Sequence, residues 1–231
     1  MIVGVLILAL FVLRPGSGGS TTGALNAPVT TIPAGLENDR TLGSPSAPVT
    51  IDVWADFQCP FCDQFATTVE PRIIADFVAT GQAKLVAHDF AFLGRGRTPD
   101  ESTDAATAAR CAAQNGKYWE YAEYLWANQG GENQGAFRKE RLDQIATAVG
   151  LDLARFDQCL TDQSLRSAVA AETSQGAAMG INSTPTIFVD GQKLPTVPTY
   201  EQLATLIRQA SGSPTPGAAP SGSPASPSAS Q

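Results

Sequence analysis

Asp56-Phe57-Gln58-Cys59-Pro60-Phe61-Cys62 lies between two segments of different periodicity. Before it, Val49-Thr50-Ile51-Asp52-Val53-Trp54 alternates and is rich in β-branched residues, which predicts a strand. After it, Phe65, Val69, Ile73 and Phe77 recur at every fourth position, the stripe of a helix over Asp63 to Val78. Two cysteines three apart at a strand-to-helix junction suggest redox chemistry. With Cys59 at the helix N-cap, Pro60 takes the first helical position, where its missing N–H costs nothing. Unpaired amides and the positive end of the helix dipole then face the Cys59 sulfur and lower its pKa. Cys62, one turn on, lies on the same side and can close a disulfide with Cys59. A lone CxxC also reads as half of a four-cysteine zinc site or as a chance pair in a loop. Zinc calls for a second CxxC, which Cys111 and Cys159 do not form, and His88 is the lone histidine.

Working outward, Pro71 is expected to kink the helix and Gly81 to end it, and Lys84 to Phe92 reads as a second strand. Strand, helix and strand make a βαβ unit with the CxxC at the C-terminal edge of its first strand, where sites of open α/β sheets lie. Thr98-Pro99-Asp100-Glu101 then reads as a capping box with Pro at its first helical position, opening an alanine-rich helix that carries Cys111 and stops near Gly116. Further helices are predicted over Tyr118 to Asn128, over Phe137 to Val149, after a cap at Asp152, and from about Ser164 to Met179. Five helices in a row form an all-helical subdomain, about 98–180, inserted in the α/β unit. After it Ser183-Thr184-Pro185-Thr186-Ile187-Phe188-Val189-Asp190-Gly191 returns to strand and turn. Asp190-Gly191 signals a hairpin with Lys193 to Val197 as partner strand, and Tyr200 to Gln209 is the last helix.

The ends differ in composition from this folded part, 41–210. Ile2 to Leu13 is apolar throughout and, at ~1.5 Å per residue, reaches about 18 Å as a helix. That is short of the ~30 Å of a bilayer core, so residues 1–14 read as a signal peptide's hydrophobic region or as a membrane anchor that starts upstream of Met1. Residues 15–40 read as a flexible linker rich in small residues, and 211–231 as a disordered Ser/Pro/Ala/Gly tail. The net charge of −7 and a pI near 4.7 argue against nucleic acid or an anionic membrane surface as partner. Four cysteines fit an oxidising compartment.

The CxxC stretch, the inserted helices and Thr184-Pro185-Thr186-Ile187-Phe188-Val189-Asp190-Gly191 together resemble the DsbA-type thiol:disulfide oxidoreductases of the thioredoxin superfamily, over roughly residues 41–210. The resemblance implies a thioredoxin-like α/β fold with the helical insertion, a redox pair Cys59 and Cys62, and a cis Thr184-Pro185 bond packed beside it. A cis-proline there leaves Thr184 backbone groups free to pair with a substrate strand; the alternative is a trans proline opening an edge strand. Pro60-Phe61 tunes the redox potential in such proteins, and the strongest oxidants carry histidine in place of Phe61. Asp52, seven residues before Cys59, falls where proteins it resembles often place a buried acid that takes the resolving cysteine's proton. The alternative for Asp52 is a solvated edge carboxylate, and Asp56 reads as a turn or cap residue. Cys111 and Cys159 are either two buried thiols or, as in some DsbA-like proteins of Gram-positive type, a structural disulfide.

The resulting expectation is a monomeric extracytoplasmic dithiol oxidase, membrane-anchored or secreted, without cofactor or metal, acting on reduced exported proteins. Re-oxidation falls, by resemblance, to a membrane quinone-linked partner of the DsbB or vitamin K epoxide reductase type. A reductase or isomerase on the same fold, and a non-catalytic peptide-binding chaperone or zinc module, are the alternatives. His88 reads as a packed or edge residue rather than a base.

Overall fold

The computed structural model describes residues 23–212. In chain order its elements are β1 (Glu37–Asn38), β2 (Thr41–Leu42), β3 (Val49–Ala55), α1 (Pro60–Thr68), α2 (Glu70–Ile73), a π-helical turn (Ile74–Val78) and β4 (Ala83–Asp89). Then come α3 (Glu101–Ala113), α4 (Tyr118–Ala127), α5 (Lys139–Ala148), α6 (Leu153–Leu160), α7 (Gln163–Ala178), β5 (Thr186–Val189), β6 (Gln192–Lys193) and α8 (Tyr200–Ala210). One six-stranded sheet has the order β1-β2-β4-β3-β5-β6. β3 and β4 pair in parallel, from Val49 opposite Ala83 to Ala55 opposite Asp89, as a helical crossover requires. The remaining pairings are antiparallel. The fold is thus α/β and thioredoxin-like, with α3 to α7 standing between β4 and β5.

Alternation along β3 divides the two faces of the sheet. Val49, Ile51 and Val53 join Phe65, Ile73, Phe77, Leu203 and Ile207 in the main core, under α1, α2 and α8. Asp52 and Trp54 take the other face, where Trp54 forms a second apolar cluster with Phe90, Ile181 and Phe188. α7 packs over that cluster at Gly176. A Cβ there would lie 2.8 Å from Phe90 Cδ2 and 2.9 Å from Trp54 Cζ3, so the helix comes this close only without a side chain. Cys111 and Cys159 are bonded to each other, S–S 2.04 Å, and tie α3 to α6.

Several boundaries differ from the sequence reading. The single helix expected over Asp63 to Val78 is broken at Val69, with φ −103°, two residues ahead of Pro71. Pro71 has no N–H to offer the Thr67 carbonyl. The Thr67 and Thr68 hydroxyls meanwhile bond back to the Asp63 and Gln64 carbonyls, which bends a helix in the same place. The capping box expected at Thr98 is replaced by a simple cap two residues later: Thr98-Pro99 is a cis peptide outside the helix, and Asp100 caps α3 by accepting from Thr103 N–H at 3.0 Å. β4 stops at Asp89, and Phe90 to Phe92 leave the sheet. The hairpin forms at Asp190-Gly191, both at positive φ, yet its second strand is only Gln192–Lys193, with Pro195 and Pro198 beyond it. Phe137 is buried ahead of α5 rather than within it.

The linker expected over 15–40 does not extend to 40. β1 lies inside that stretch, and Leu25, Ile32 and Leu36 pack on the main core as a strap. Asn26 exchanges hydrogen bonds with Asn128 at the end of α4, and a Glu37 carboxylate oxygen accepts Trp119 N–H at 3.0 Å at its start. Average composition hid this, because three apolar side chains suffice where a surface is already there to receive them. The expectations for residues 1–14, and for the tail from 213 onward, lie outside the described residues. Among the described residues no helix is long and apolar enough to cross a membrane.

Candidate active site

β3 ends at Ala55, and the chain turns through Asp56, Phe57 and Gln58 before α1 begins. Cys59 is the N-cap, extended at ψ 119°, with Pro60 following at the first helical position. Its carbonyl accepts the Cys62 and Asp63 N–H groups at 3.0 and 3.1 Å, while its own N–H donates to the Asp56 carbonyl at 2.9 Å. Cys59 and Cys62 are both buried and unbonded, a dithiol. A hydrogen bond from the Cys62 thiol, opposed by burial and aided by Thr184 and the Cys62 and Phe61 N–H groups, lowers Cys59 from 9.0 to about 6. Cys62 moves the other way: burial, then the neighbouring Cys59 sulfur, push it well above 9.0.

Thr184-Pro185 is cis and lies against this pair. The Cys59 thiol donates to the Thr184 carbonyl at 3.3 Å, and the Thr184 hydroxyl is buried with no hydrogen-bond partner. Phe61, between the cysteines, is 67% exposed. It stands at one end of a groove of about 410 Å³ whose walls include Phe65, Val69, Val197 and Tyr200.

The loop before Cys59 is fixed by side chains from far along the chain. Asp56 is buried, and its carboxylate accepts from Gln58 N–H, Ser102 Oγ, Phe92 N–H and Leu93 N–H at 2.8–3.0 Å. Burial raises its pKa, and those bonds work against the rise. Gln58 donates to Ser102 Oγ at 2.7 Å and accepts from Asn133 N–H. Gln129 donates to the Phe57 and Cys59 carbonyls at 2.6 and 3.1 Å. The role of Asp56 as a turn residue was legible; Ser102, Gln129 and Asn133 were not. Gly130-Gly131 marked the loop that holds two of them, without saying where it folds back.

Asp52 is placed elsewhere than the resemblance implied. It shares a face with Trp54, but its carboxylate accepts from His88 Nε2 at 2.8 Å rather than serving a sulfur. The His88 ring stacks on Trp54, centroids 4.5 Å apart, and its Nδ1 meets Glu172 at 3.0 Å. Burial lowers the His88 pKa, but the Asp52 and Glu172 hydrogen bonds and charges prevail and raise it to about 8. Burial would likewise lift Glu172, yet His88 and Arg40 hold it at about 2. Arg110 joins Glu172 to Asp89 and completes a polar layer between the sheet, α3 and α7. Among the described residues no group of three or more His, Cys, Asp and Glu is arranged to hold a metal.

Residues 36–209 match the thioredoxin family. BdbD from Bacillus subtilis, in its oxidised form, superposes with TM-score 0.68 at 24% identity, over 81% of this chain and all of that one. DsbA of Chlamydia trachomatis superposes with TM-score 0.64 at 26% identity, over 79% of this chain and 96% of that one. The Na(+)/H(+) antiporter NhaA 1 of Mycolicibacterium gilvum is 29% identical over 167 residues, 70% of this chain and 25% of the antiporter. The chain therefore spans about a quarter of that relative's length.

Proposed function

The chain belongs to the thioredoxin family and is a DsbA-like thiol:disulfide oxidoreductase, and from that premise we propose that it acts outside the cytoplasm as a dithiol oxidase for exported proteins. The observation that carries the direction is the split acidity of the dithiol: an outer sulfur lowered to about 6 beside an inner one raised well above 9.0. A stabilised Cys59 thiolate favours the reduced form and makes the Cys59-Cys62 disulfide a ready donor.

In this reading a substrate thiolate attacks Cys59 of the oxidised pair, the Cys59–Cys62 bond breaks, and the Cys62 sulfur leaves and takes up a proton, as its high pKa favours. A second substrate thiolate then attacks the substrate sulfur of the mixed disulfide. Cys59 leaves as its stable thiolate, two electrons have passed to the protein, and the substrate carries the new disulfide. The Thr184 hydroxyl and the Phe61 and Cys62 N–H groups receive the charge on Cys59. Pro60 and Pro185 free backbone on either side of it, and Phe61 offers an apolar contact to an unfolded chain. Asp52, committed to His88, plays no proton-accepting part. The Cys111–Cys159 bond suits an oxidising compartment. Resetting the disulfide requires an electron acceptor, which we assign to a membrane quinone-linked oxidase.

Reduced, unfolded ribonuclease is expected to regain activity when the oxidised protein is added, and Cys59→Ser to abolish the effect. The reduction potential is expected nearer the ~−120 mV of a strong oxidant than the ~−270 mV of thioredoxin. A value at or below the latter, with no ribonuclease rescue, sinks the oxidase direction in favour of reduction.

A further inference from the structure

Gln129 lies just beyond α4, about seventy positions from the dithiol in sequence, yet its side-chain amide reaches the two carbonyls that flank Gln58. Its Nε2 donates to the Phe57 carbonyl at 2.6 Å and to the Cys59 carbonyl at 3.1 Å. The second acceptor is not an ordinary carbonyl. It belongs to the N-cap residue itself and already receives the first two N–H groups of α1, from Cys62 and Asp63. A third donor from outside the helix pins the Cys59–Pro60 peptide plane, and with it the ψ of 119° that decides where the Cys59 sulfur sits relative to the helix amides.

The rest of the same loop points the same way. Asn133 N–H donates to the Gln58 side-chain carbonyl at 2.5 Å, and Asn133 Nδ2 to the Leu93 carbonyl at 3.2 Å. Asn133 holds this place at φ 56°, a left-handed conformation that asparagine tolerates better than most residues. The segment from 129 to 133 thus grips the active-site loop at Phe57, Gln58 and Cys59 in succession.

We propose that Gln129 is a positioning residue through which the helical insertion sets the acidity of Cys59 and the redox potential of the pair. This rests on the reading of Cys59 as the reactive sulfur. Loss of the amide lets the N-cap carbonyl swing, which moves the Cys59 sulfur relative to the helix amides and so raises the Cys59 pKa. Because the reduced form is the one that benefits from the thiolate, the disulfide becomes harder to reduce.

The experiment uses the full chain with Gln129→Met, which keeps the length of the side chain and removes the donor, and Gln129→Asn, which keeps the amide and removes the reach. Thiolate absorbance and iodoacetamide reaction rate against pH give the Cys59 pKa, and equilibration with glutathione gives the potential. Asn128→Ala, which severs α4 from Asn26, is the stability control. It is expected to melt earlier with its Cys59 pKa unchanged. Both Gln129 variants are expected to raise the pKa by about half a unit to one unit, the scale of one hydrogen bond, and to lower the potential by up to ~30 mV, a tenfold shift. A folded Gln129 variant that titrates as the wild type overturns the inference. If the wild-type Cys59 itself titrates near 9, the reading of the dithiol has failed instead, and the two failures are told apart in one data set.

Discussion

Cys59 and Cys62 share one turn of helix and feel opposite environments, which gives the pair a distinct pH signature. The rate of Cys59 alkylation by iodoacetamide is expected to rise with a midpoint at about pH 6, with Cys62 silent over the same range. The folded value lies below the ordinary 9.0, so the stability this thiolate lends the reduced protein is complete above pH 9 and lost as pH falls through about 6. Urea melts of the reduced protein and of Cys59→Ser should therefore diverge by about 1.4 kcal/mol for each pH unit between those limits. His88 has the reverse sign. Its folded value of about 8 lies above the ordinary 6.5, so its contribution is complete below pH 6.5 and lost as pH rises through about 8. The size is ~2 kcal/mol, and His88→Gln is expected to remove that slope, with the ring's titration followed by NMR as the check on the wild type.

Elements written by local chemistry were readable, and those set by distant partners were not. α4 and α8 follow their apolar patterns, and Thr199 with Gln202 forms a full capping box at the start of α8. Asp190-Gly191 supplied the turn its two positive φ values require. The N-cap position of Cys59 followed from Pro60 alone. The break at Val69 was displaced from the proline that causes it, because the lost bond belongs to the carbonyl four residues earlier. The Asp52–His88 pairing lies across two parallel strands, and Glu172 arrives from α7; no local pattern announces either. The approach of α7 to the sheet has its own test. Gly176→Ala puts a methyl group against Trp54 and Phe90, and is expected to cost about 1–3 kcal/mol in denaturant unfolding.

Across the whole molecule, the one covalent tie runs through the helical insertion and not through the dithiol. Cys111 and Cys159 are separated by 48 positions, and opening that loop is expected to cost ~4 kcal/mol in the chain-entropy account. A Cys111→Ser/Cys159→Ser protein should unfold at lower denaturant while its Cys59 alkylation midpoint stays put. The strap from residue 23 to 36 has a more practical corollary. It lies over Glu123, Tyr124 and Val149, and burial there, eased slightly by Thr30, pushes the Glu123 carboxyl up to about 7. A recombinant version cloned to start at 41 would strip that cover and β1 with it. The bared face would invite proteases and self-association, and the newly wetted Glu123 would ionise, so such a preparation would be a poorer reagent for reasons unrelated to its sulfurs.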